Sequence, residues 1–280
     1  MMSTAPKSPL VEDRLSGRRS PLIAAHRGSA GGNIIQNTLG AFIAAIRLGA
    51  DIVECDVSRT SDGRLLVFHD SLERMNLGLT NNISEMTYDE VLSVGLYNSN
   101  DERTSQHVNT LDDILSGLKG KALINLDRGW DHWEQMLDAV DRHGMADEVL
   151  IKSPIRPDLL EVLDSRPVKY MYMPMLRSPE QLDSAGRYDL NIVAVELIFE
   201  STNADVVRPE FIRELKERKY LLWVNSLKLN DRDKLCGDLD DTASILKGPE
   251  HGWGALIDMG FDILQTDWPS LLKEYLSQRS

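Results

Sequence analysis

The chain has few of the features that mark secreted or membrane-spanning proteins. Its 280 residues contain only two cysteines, Cys55 and Cys236, too few for a disulfide framework, and Cys55 lies in an apolar run that favours a reduced, buried thiol. No run reaches the ~18 apolar residues of a transmembrane helix, and residues 1–20 lack the ~7 to 15 apolar residues of a signal peptide. These absences predict a cytoplasmic protein with a flexible tail over residues 1–20.

Positive charge is also scarce. There are 31 Lys and Arg residues against 44 Asp and Glu residues, which gives a formal net charge of −13. Nucleic acids favour an excess of Lys and Arg, and membrane surfaces favour a polybasic run or an amphipathic anchor, neither of which is visible. The composition therefore predicts no nucleic-acid partner and no membrane anchor, and any phosphate that binds is expected to be small. No pattern specifies an oligomeric state.

What the chain does have is a regular alternation of short apolar runs and helical patterns. In residues 37–49, Leu39, Phe42, Ile43 and Ile46 follow helical spacing before a terminating Gly49. Strand, helix and strand at this rhythm predict parallel pairing with right-handed crossovers. Eight or nine such runs over residues 21–280 predict one α/β domain, a (β/α)₈ TIM barrel, in which the run 64–69 is either a barrel strand or a local extension. An open doubly wound sheet is disfavoured because "HRGSAGG" lacks the G-x-G-x-x-G pattern.

Residues 71 to about 110 interrupt this rhythm. The polar stretches "NLGLTNN" and "NSNDERTSQH" predict a loop-rich insertion with one short helix around "SEMTYDEVLSV" (residues 84–94).

Polar residues recur where the predicted strands end. In a parallel barrel all these ends open on one face, so side chains far apart in sequence converge there. The residues are His26, Glu54, Asp56, His69, Asp127, Lys152, Glu196, Asn225 and Asp267.

The acidic members of this set suggest a metal site. Glu54 and Asp56 are two apart on a strand and share one face, where they repel unless a cation lies between them. Asp127 adds a carboxylate from another strand, and oxygen ligands of this kind suit Mg²⁺, Mn²⁺ or Ca²⁺. A single acid at a strand end is more often solvated or salt-bridged, but three acids with two histidines favour a site for one divalent cation.

The two histidines suggest proton transfer. His26 and His69 each end an apolar run, and beside a metal such a pair can serve as general acid and general base on phosphorus. Either histidine alone could be half-buried and bonded to a backbone carbonyl. Arg27 can hold an oxyanion through two parallel hydrogen bonds, and the small residues that follow let backbone amides approach a ligand.

Several motifs together resemble the glycerophosphodiester phosphodiesterase family of the phospholipase C-like phosphodiesterases. They are "HRG" at 26–28, "NTLGAF" at 37–42, "GADIVECDVSRTSDGRLLVFHD" at 49–70, Arg74, "NTLDDIL" at 109–115 and "GFDILQTDWP" at 260–269, within a resemblance over residues 22–276. The resemblance implies a (β/α)₈ barrel with a small insertion after the second histidine. It also implies a phosphoric diester hydrolase of lipid metabolism with His26 and His69 as the acid/base pair, Arg27 as the phosphate clamp, and Glu54, Asp56 and Asp127 as metal ligands.

The chain departs from the family pattern at several positions. Ile35 and Gln36 stand where the family usually has Pro-Glu, and Asp127 stands where it usually has a glutamate followed two residues later by lysine. An aspartate there resembles the related sphingomyelinase D enzymes, in which a cyclic phosphate can form. Lys152 could supply the missing positive charge to the phosphate, although an ordinary strand-end lysine is an alternative.

The expected substrate is a small phosphodiester. We expect Gln36, Glu196, Trp223, Asn225 and Trp268 to line its pocket, because aromatic faces beside a phosphate site suit a sugar ring. The predicted reaction is metal-dependent hydrolysis of a glycerophosphodiester or sugar phosphodiester to a phosphomonoester and an alcohol, directly or through a cyclic phosphate. The alternatives are an opine-type (agrocinopine-like) sugar-phosphodiester enzyme and a non-catalytic phosphate-binding barrel.

Overall fold

Eight parallel strands close on themselves in the computed structural model, which describes residues 21–230 and 232–279. The first strand pairs with both the second and the last, so the ring has no open edge. This confirms the predicted (β/α)₈ barrel. The predicted tail, residues 1–20, lies outside the described residues. The barrel strands are β1 (Leu22–His26), β2 (Ile52–Arg59), β4 (Leu123–Arg128), β5 (Val149–Pro154), β6 (Met171–Leu176), β8 (Ala194–Leu197), β9 (Leu221–Asn225) and β10 (Ile263–Thr266).

Two further strands lie outside the ring of eight. β3 (Leu65–Val67) pairs antiparallel with the end of β2, so the run 64–69 is the local extension rather than a barrel strand. β7 (Asn191–Ile192) pairs with the start of β6 just before β8 begins.

Helices follow the strands, and most begin at a residue that the sequence marks. Thr38 accepts a hydrogen bond from the backbone nitrogen of Ala41, and Thr110 and Asp113 form a capping box. The α-helices are α1 (Leu39–Arg47), α2 (Glu73–Asn76), α3 (Tyr88–Leu92), α4 (Leu111–Leu118), α5 (Trp133–His143), α6 (Pro157–Ser165), α7 (Glu180–Ala185), α8 (Pro209–Glu217), α9 (Asp241–Leu246), α10 (Trp253–Asp258) and α11 (Pro269–Arg279). Short 3₁₀ turns span Ile83–Glu85, Trp130–His132, Asp205–Val207 and Pro249–His251.

The barrel interior is apolar at one end and polar at the other. Leu22, Ile52, Leu123, Leu150 and Trp223 belong to one buried cluster inside the barrel. Beyond this cluster, toward the carboxyl ends of the strands, the inward positions become Glu54, Asp56, Asn125, Asp127, Lys152, Glu196 and Asn225. The polar layer therefore lies directly above a buried apolar layer.

The segment between β3 and α4 has a small core of its own. It carries α2, α3 and a 3₁₀ turn, and its side chains pack on Ile35 from the loop after β1. Two short helices thus occur where the sequence indicated one. The division of the chain into a tail and a single domain with an insertion stays a prediction.

None of the helices in the described part of the chain is long and apolar enough to cross a membrane.

The turn after β1 depends on Gly28. Its φ is +79°, and a Cβ there would lie 2.6 Å from the carbonyl carbon of Ala41. We predict that Gly28→Ala lowers the free energy of unfolding by about 2 kcal/mol or more, because both the backbone conformation and the contact become unfavourable. Gly31→Ala is the matched control, since Gly31 is in the same loop and has no atom within 4 Å of its Cβ position. Equal midpoints in urea for the two variants would contradict the prediction.

Candidate active site

Three carboxylates from two neighbouring strands meet at the carboxyl end of the barrel. Glu54 and Asp56 share the inner face of β2, and Asp56 lies directly beside Asp127 of β4 in the strand register. Oxygen atoms of the three side chains lie within 4.8 Å of one another. Glu54 and Asp56 are almost fully buried, whereas Asp127 is partly exposed. The acidic cluster predicted from strand spacing therefore forms.

Burial and mutual repulsion raise the pKa of Glu54. The loss of solvent is the largest cause and the charge of Asp56 is the next, and together they raise the pKa of Glu54 to about 7 against the opposing charges of His26 and Lys152. A proton or a metal ion can therefore neutralise Glu54 near neutral pH.

Asp56 has the opposite character because cations surround it. Its carboxylate lies 2.8 Å from Nε of Arg27 and 3.5 Å from Nε of Arg128, and it accepts a 2.9 Å hydrogen bond from Nδ2 of Asn37. Burial alone would raise the pKa of Asp56, but the charges of Arg27 and the two histidines outweigh it and lower the pKa. Asp56 thus stays ionised.

The backbone conformation brings those three partners to Asp56. Arg27, Asn37 and Arg128 have φ values of 53°, 57° and 58°, in the left-handed region that non-glycine residues seldom adopt. Each residue lies at or just after the end of a strand or in a loop at this face. The strained conformation turns side chains that regular alternation would direct elsewhere.

His26 is held by a carboxylate. Its Nδ1 donates to Oδ1 of Asp267 at 2.8 Å, and Asp267 directly follows β10. Burial lowers the pKa of His26, but the hydrogen bond to Asp267 and the charge of Glu54 outweigh it and raise the pKa. The imidazolium form of His26 is therefore more stable than that of an ordinary solvent-exposed histidine.

His69 is held by a backbone carbonyl instead. Its Nδ1 donates to the carbonyl oxygen of Asp70, which leaves Nε2 as a proton acceptor. Burial is the main cause that lowers the pKa of His69, and the charges of Arg27 and Arg128 add to it against the charge of Asp56. The pKa values of the two histidines are thus shifted in opposite directions.

A buried polar chain lies beneath the cluster. Lys152 Nζ lies 2.7 Å from Asp127 and 3.2 Å from Glu196. Asn225 donates to Glu196 at 2.9 Å and accepts from Nε1 of Trp223 at 2.7 Å. Burial lowers the pKa of Lys152, but the neighbouring carboxylates outweigh it and raise the pKa. Burial raises the pKa of Glu196.

The other predicted site residues lie at the rim. Gln36 accepts a hydrogen bond from Nη1 of Arg27 at 3.3 Å, and Trp268 is 50% exposed directly after Asp267. Trp223, by contrast, is fully buried inside the barrel. The roles of these residues in binding stay predictions.

Sequence reasoning did not predict Asn37, Arg128 or Asp267 as site residues. Asp267 stood among the strand-end residues, which was the available signal. Arg128 follows Asp127 on a strand, where alternation would place the two on opposite faces. Asn37 lies in a motif that carried the family resemblance, but the motif alone did not indicate its contact with Asp56.

The donor set fits the predicted divalent cation. Carboxylate oxygens are the ligands that hard cations prefer, and Glu54, Asp56 and Asp127 bring one each within reach of a common point. Carboxylate oxygens of Asp56 and Asp127 also contact Arg27, Arg128 and Lys152.

The chain is similar in sequence to several known proteins. A family model described only as a domain of unknown function matches residues 170–276. The uncharacterized protein YqiK of Bacillus subtilis is 35% identical over 139 residues, which covers 47% of this chain but only 57% of that protein. Lysophospholipase D GDPD1 of Rattus norvegicus is 25% identical over 282 aligned positions, covering 91% of this chain and 86% of the relative.

Solved structures show the same architecture. A glycerophosphoryl diester phosphodiesterase from Parabacteroides distasonis superposes with a TM-score of 0.76 at 20% identity, covering 94% of this chain and 88% of the other. An Oleispira antarctica phosphodiesterase, solved in complex with the product sn-glycerol-3-phosphate, gives 0.66 at 17% identity, with coverage of 92% and 97%. The predicted resemblance to glycerophosphodiester phosphodiesterases is confirmed by these relatives, and the structures support the barrel fold.

The raised pKa of Glu54 makes metal affinity depend on pH. Because protons compete with a cation for Glu54, we predict that Mn²⁺ affinity falls as the pH is lowered through about 7, the pKa of this group. Titration calorimetry at several pH values measures this. Glu54→Gln should remove most of the binding, whereas Asp112→Asn, at a carboxylate of α4 that pairs with Arg142 and His143, should leave it unchanged. Affinity that is independent of pH from about 6 to about 8, roughly one unit either side of that pKa, would contradict the prediction.

Proposed function

We propose that this chain, which is similar along nearly its whole length to glycerophosphodiester phosphodiesterases, is a metal-dependent phosphodiesterase. Its substrate would be a small glycerophosphodiester, cleaved to a phosphomonoester and an alcohol. The observation that carries the proposal is that two differently held histidines, two arginines and three carboxylates meet at one end of the barrel.

The histidines would move the two protons. His69, with Nε2 free to accept, takes a proton from the attacking water as its oxygen bonds to phosphorus. His26, protonated and held by Asp267, gives its Nε2 proton to the alcohol oxygen as the bond from phosphorus to that oxygen breaks. The gained and lost protons balance over the cycle.

The cationic side chains would hold the phosphate. Arg27 and Arg128 lie on either side of the Asp56 carboxylate, with guanidinium groups that can exchange part of this contact for phosphate oxygens. Lys152 is 3% exposed and occupied by Asp127 and Glu196, which supports a role in fixing Asp127 as well as in adding positive charge.

A divalent cation would be held by Glu54, Asp56 and Asp127. When bound, such an ion supplies Lewis-acid stabilisation of the negative charge on the phosphoryl oxygens. Mg²⁺, Mn²⁺ and Ca²⁺ all suit these ligands.

Two further classes of alcohol group are candidates for the substrate. The half-exposed Trp268 beside Asp267 offers an aromatic face, which favours a sugar phosphodiester of the agrocinopine type as a second candidate. The rat relative is named a lysophospholipase D, so a lysophospholipid also belongs in the test.

We predict that His26→Gln and His69→Gln each lower kcat by about 10² to 10⁴, since each removes one proton transfer. His251→Gln, an exposed histidine outside the site, is the matched control. Hydrolysis of glycerophosphocholine, glycerophosphoethanolamine, a sugar phosphodiester and a lysophospholipid is measured with each cation and with EDTA. Activity should require the cation. If no substrate reacts while phosphate still binds, the chain is a binding barrel and the proposal is wrong.

The product separates the two reaction routes. Asp127 resembles the third ligand of sphingomyelinase D enzymes, so a hydroxyl next to the phosphoester could attack first and give a cyclic phosphate. We predict a phosphomonoester as the first product, because His69 offers Nε2 to a water molecule. Phosphorus NMR during the first turnovers measures this, and an early cyclic-phosphate resonance would establish the internal route instead.

A further inference from the structure

Asp241 is a buried carboxylate that the proposed chemistry does not use. It is 3% exposed at the start of α9, and none of the ion pairs among residues 21–230 and 232–279 involves it. Burial raises its pKa to about 6 against the hydrogen bonds that it accepts. A buried carboxylate costs stability unless several donors satisfy it, so its partners indicate its role.

Four donors from three segments converge on this one side chain. Oδ1 accepts from Oγ of Ser226 at 2.8 Å, from Nε1 of Trp253 at 2.7 Å and from Oγ1 of Thr266 at 2.8 Å. Oδ2 accepts from the backbone nitrogen of Asp267 at 2.9 Å. Asp241 therefore joins the end of β9, the start of α10 and the end of β10.

The last two contacts fix the backbone on both sides of Asp267. The amide of Asp267 binds Asp241 directly, and the amide of Trp268 donates to Oγ1 of Thr266 at 2.9 Å. Because the Thr266 hydroxyl gives its proton to Asp241, its oxygen is oriented to accept from Trp268. Both peptide units that determine the position of Asp267 thus depend on the Asp241 carboxylate.

We propose that Asp241 is a positioning residue: it fixes the turn after β10 so that the Asp267 carboxylate meets Nδ1 of His26. The contact from Asp267 to His26 is 2.8 Å, although the Asp267 side chain is 47% exposed. An exposed carboxylate keeps one orientation only if its backbone is held, and a misplacement of about 1 Å can cost roughly 10²-fold in rate. The catalytic part of this inference rests on the proposed function.

The central test is Asp241→Asn with a double-mutant cycle. Asparagine has nearly the same size as aspartate. One of its two oxygen acceptors is replaced by an NH₂ group, which can only donate and so faces the existing donors unfavourably. We expect kcat to fall roughly 10- to 100-fold with KM changed less than about threefold, because positioning is lost and phosphate binding is kept. Asp267→Asn should lower kcat similarly, and the double variant should be no slower than Asp267→Asn alone.

Ser244→Ala separates positioning from loosening of the local fold. Ser244 lies in the same helix, is buried, and accepts a hydrogen bond from the backbone nitrogen of Trp253, but its hydroxyl donates to the backbone of Asp240 and not to the Asp241 carboxylate. This variant should lower the melting temperature without lowering kcat. If Asp241→Asn does not fold, Thr266→Val removes one link of the network at nearly constant volume and should reproduce the loss of kcat.

A spectroscopic measurement tests the geometry without any substrate. The Nδ1 proton of His26, observed by NMR, should be lost in Asp267→Asn, shifted in Asp241→Asn and unchanged in Ser244→Ala. A wild-type protein that hydrolyses nothing would overturn the proposed function and leave this readout intact. Unchanged kcat and an unmoved His26 proton in Asp241→Asn, or losses that multiply in the double variant, would overturn the positioning role.

Discussion

Three carboxylates, two of them almost fully buried, crowd the mouth of the barrel. At 4.8 Å, the upper limit of the separations between these oxygens, and an effective dielectric constant of about 20, two unit charges repel by about 3.5 kcal/mol. A cluster of three ionised acids therefore requires cations close by. Arg27 and Arg128 contact Asp56, and Lys152 contacts Asp127, while burial and the charge of Asp56 raise the pKa of Glu54.

The backbone turns after β1 and β4 bring positive charge to the acidic cluster. Both arginines reach Asp56 from the left-handed region, and each is followed by a glycine with positive φ. At Gly129 a Cβ would lie 3.1 Å from Cβ of Val57 on the strand that carries Asp56. The tight turns after β1 and β4 thus place the cations, and larger residues would push those turns away from the acids. Strain of this kind is maintained only where the surrounding structure enforces it.

Burial and the neighbouring side chains together shift the pKa values of His26 and His69 in opposite directions. His26 lies near Glu54 and is paired with Asp267, whereas His69 lies near the two arginines and donates to a carbonyl. One histidine is therefore suited to give a proton and the other to take one. In the role that we propose for it, Asp241 supports this difference, because it holds the backbone of Asp267, whose carboxylate pairs with His26.

Some of this site could be predicted from the sequence, and the rest could not for identifiable reasons. The alternation of strands placed Glu54, Asp56 and Asp127 on one face, and parallel pairing brought the histidines to it. Arg128 and Asn37 were missed because their left-handed φ values break the alternation on which such reasoning depends. Asp241 was missed because its partners Ser226, Trp253 and Thr266 are spread over more than one strand and helix and converge only in three dimensions. Trp223 was expected to line the pocket because an aromatic face suits a sugar ring; its ring lies in the buried cluster inside the barrel and donates to Asn225, and its role in binding stays a prediction.

We propose that this cluster of acids holds a divalent cation in exchange for its contacts with Arg27, Arg128 and Lys152. Anomalous diffraction from crystals soaked in Mn²⁺ tests it most directly. The account predicts one strong peak at about 2.2 Å from oxygens of Glu54, Asp56 and Asp127, with Lys152 displaced from Asp127. A peak elsewhere on the protein, or no peak at this cluster at saturating Mn²⁺, would contradict it.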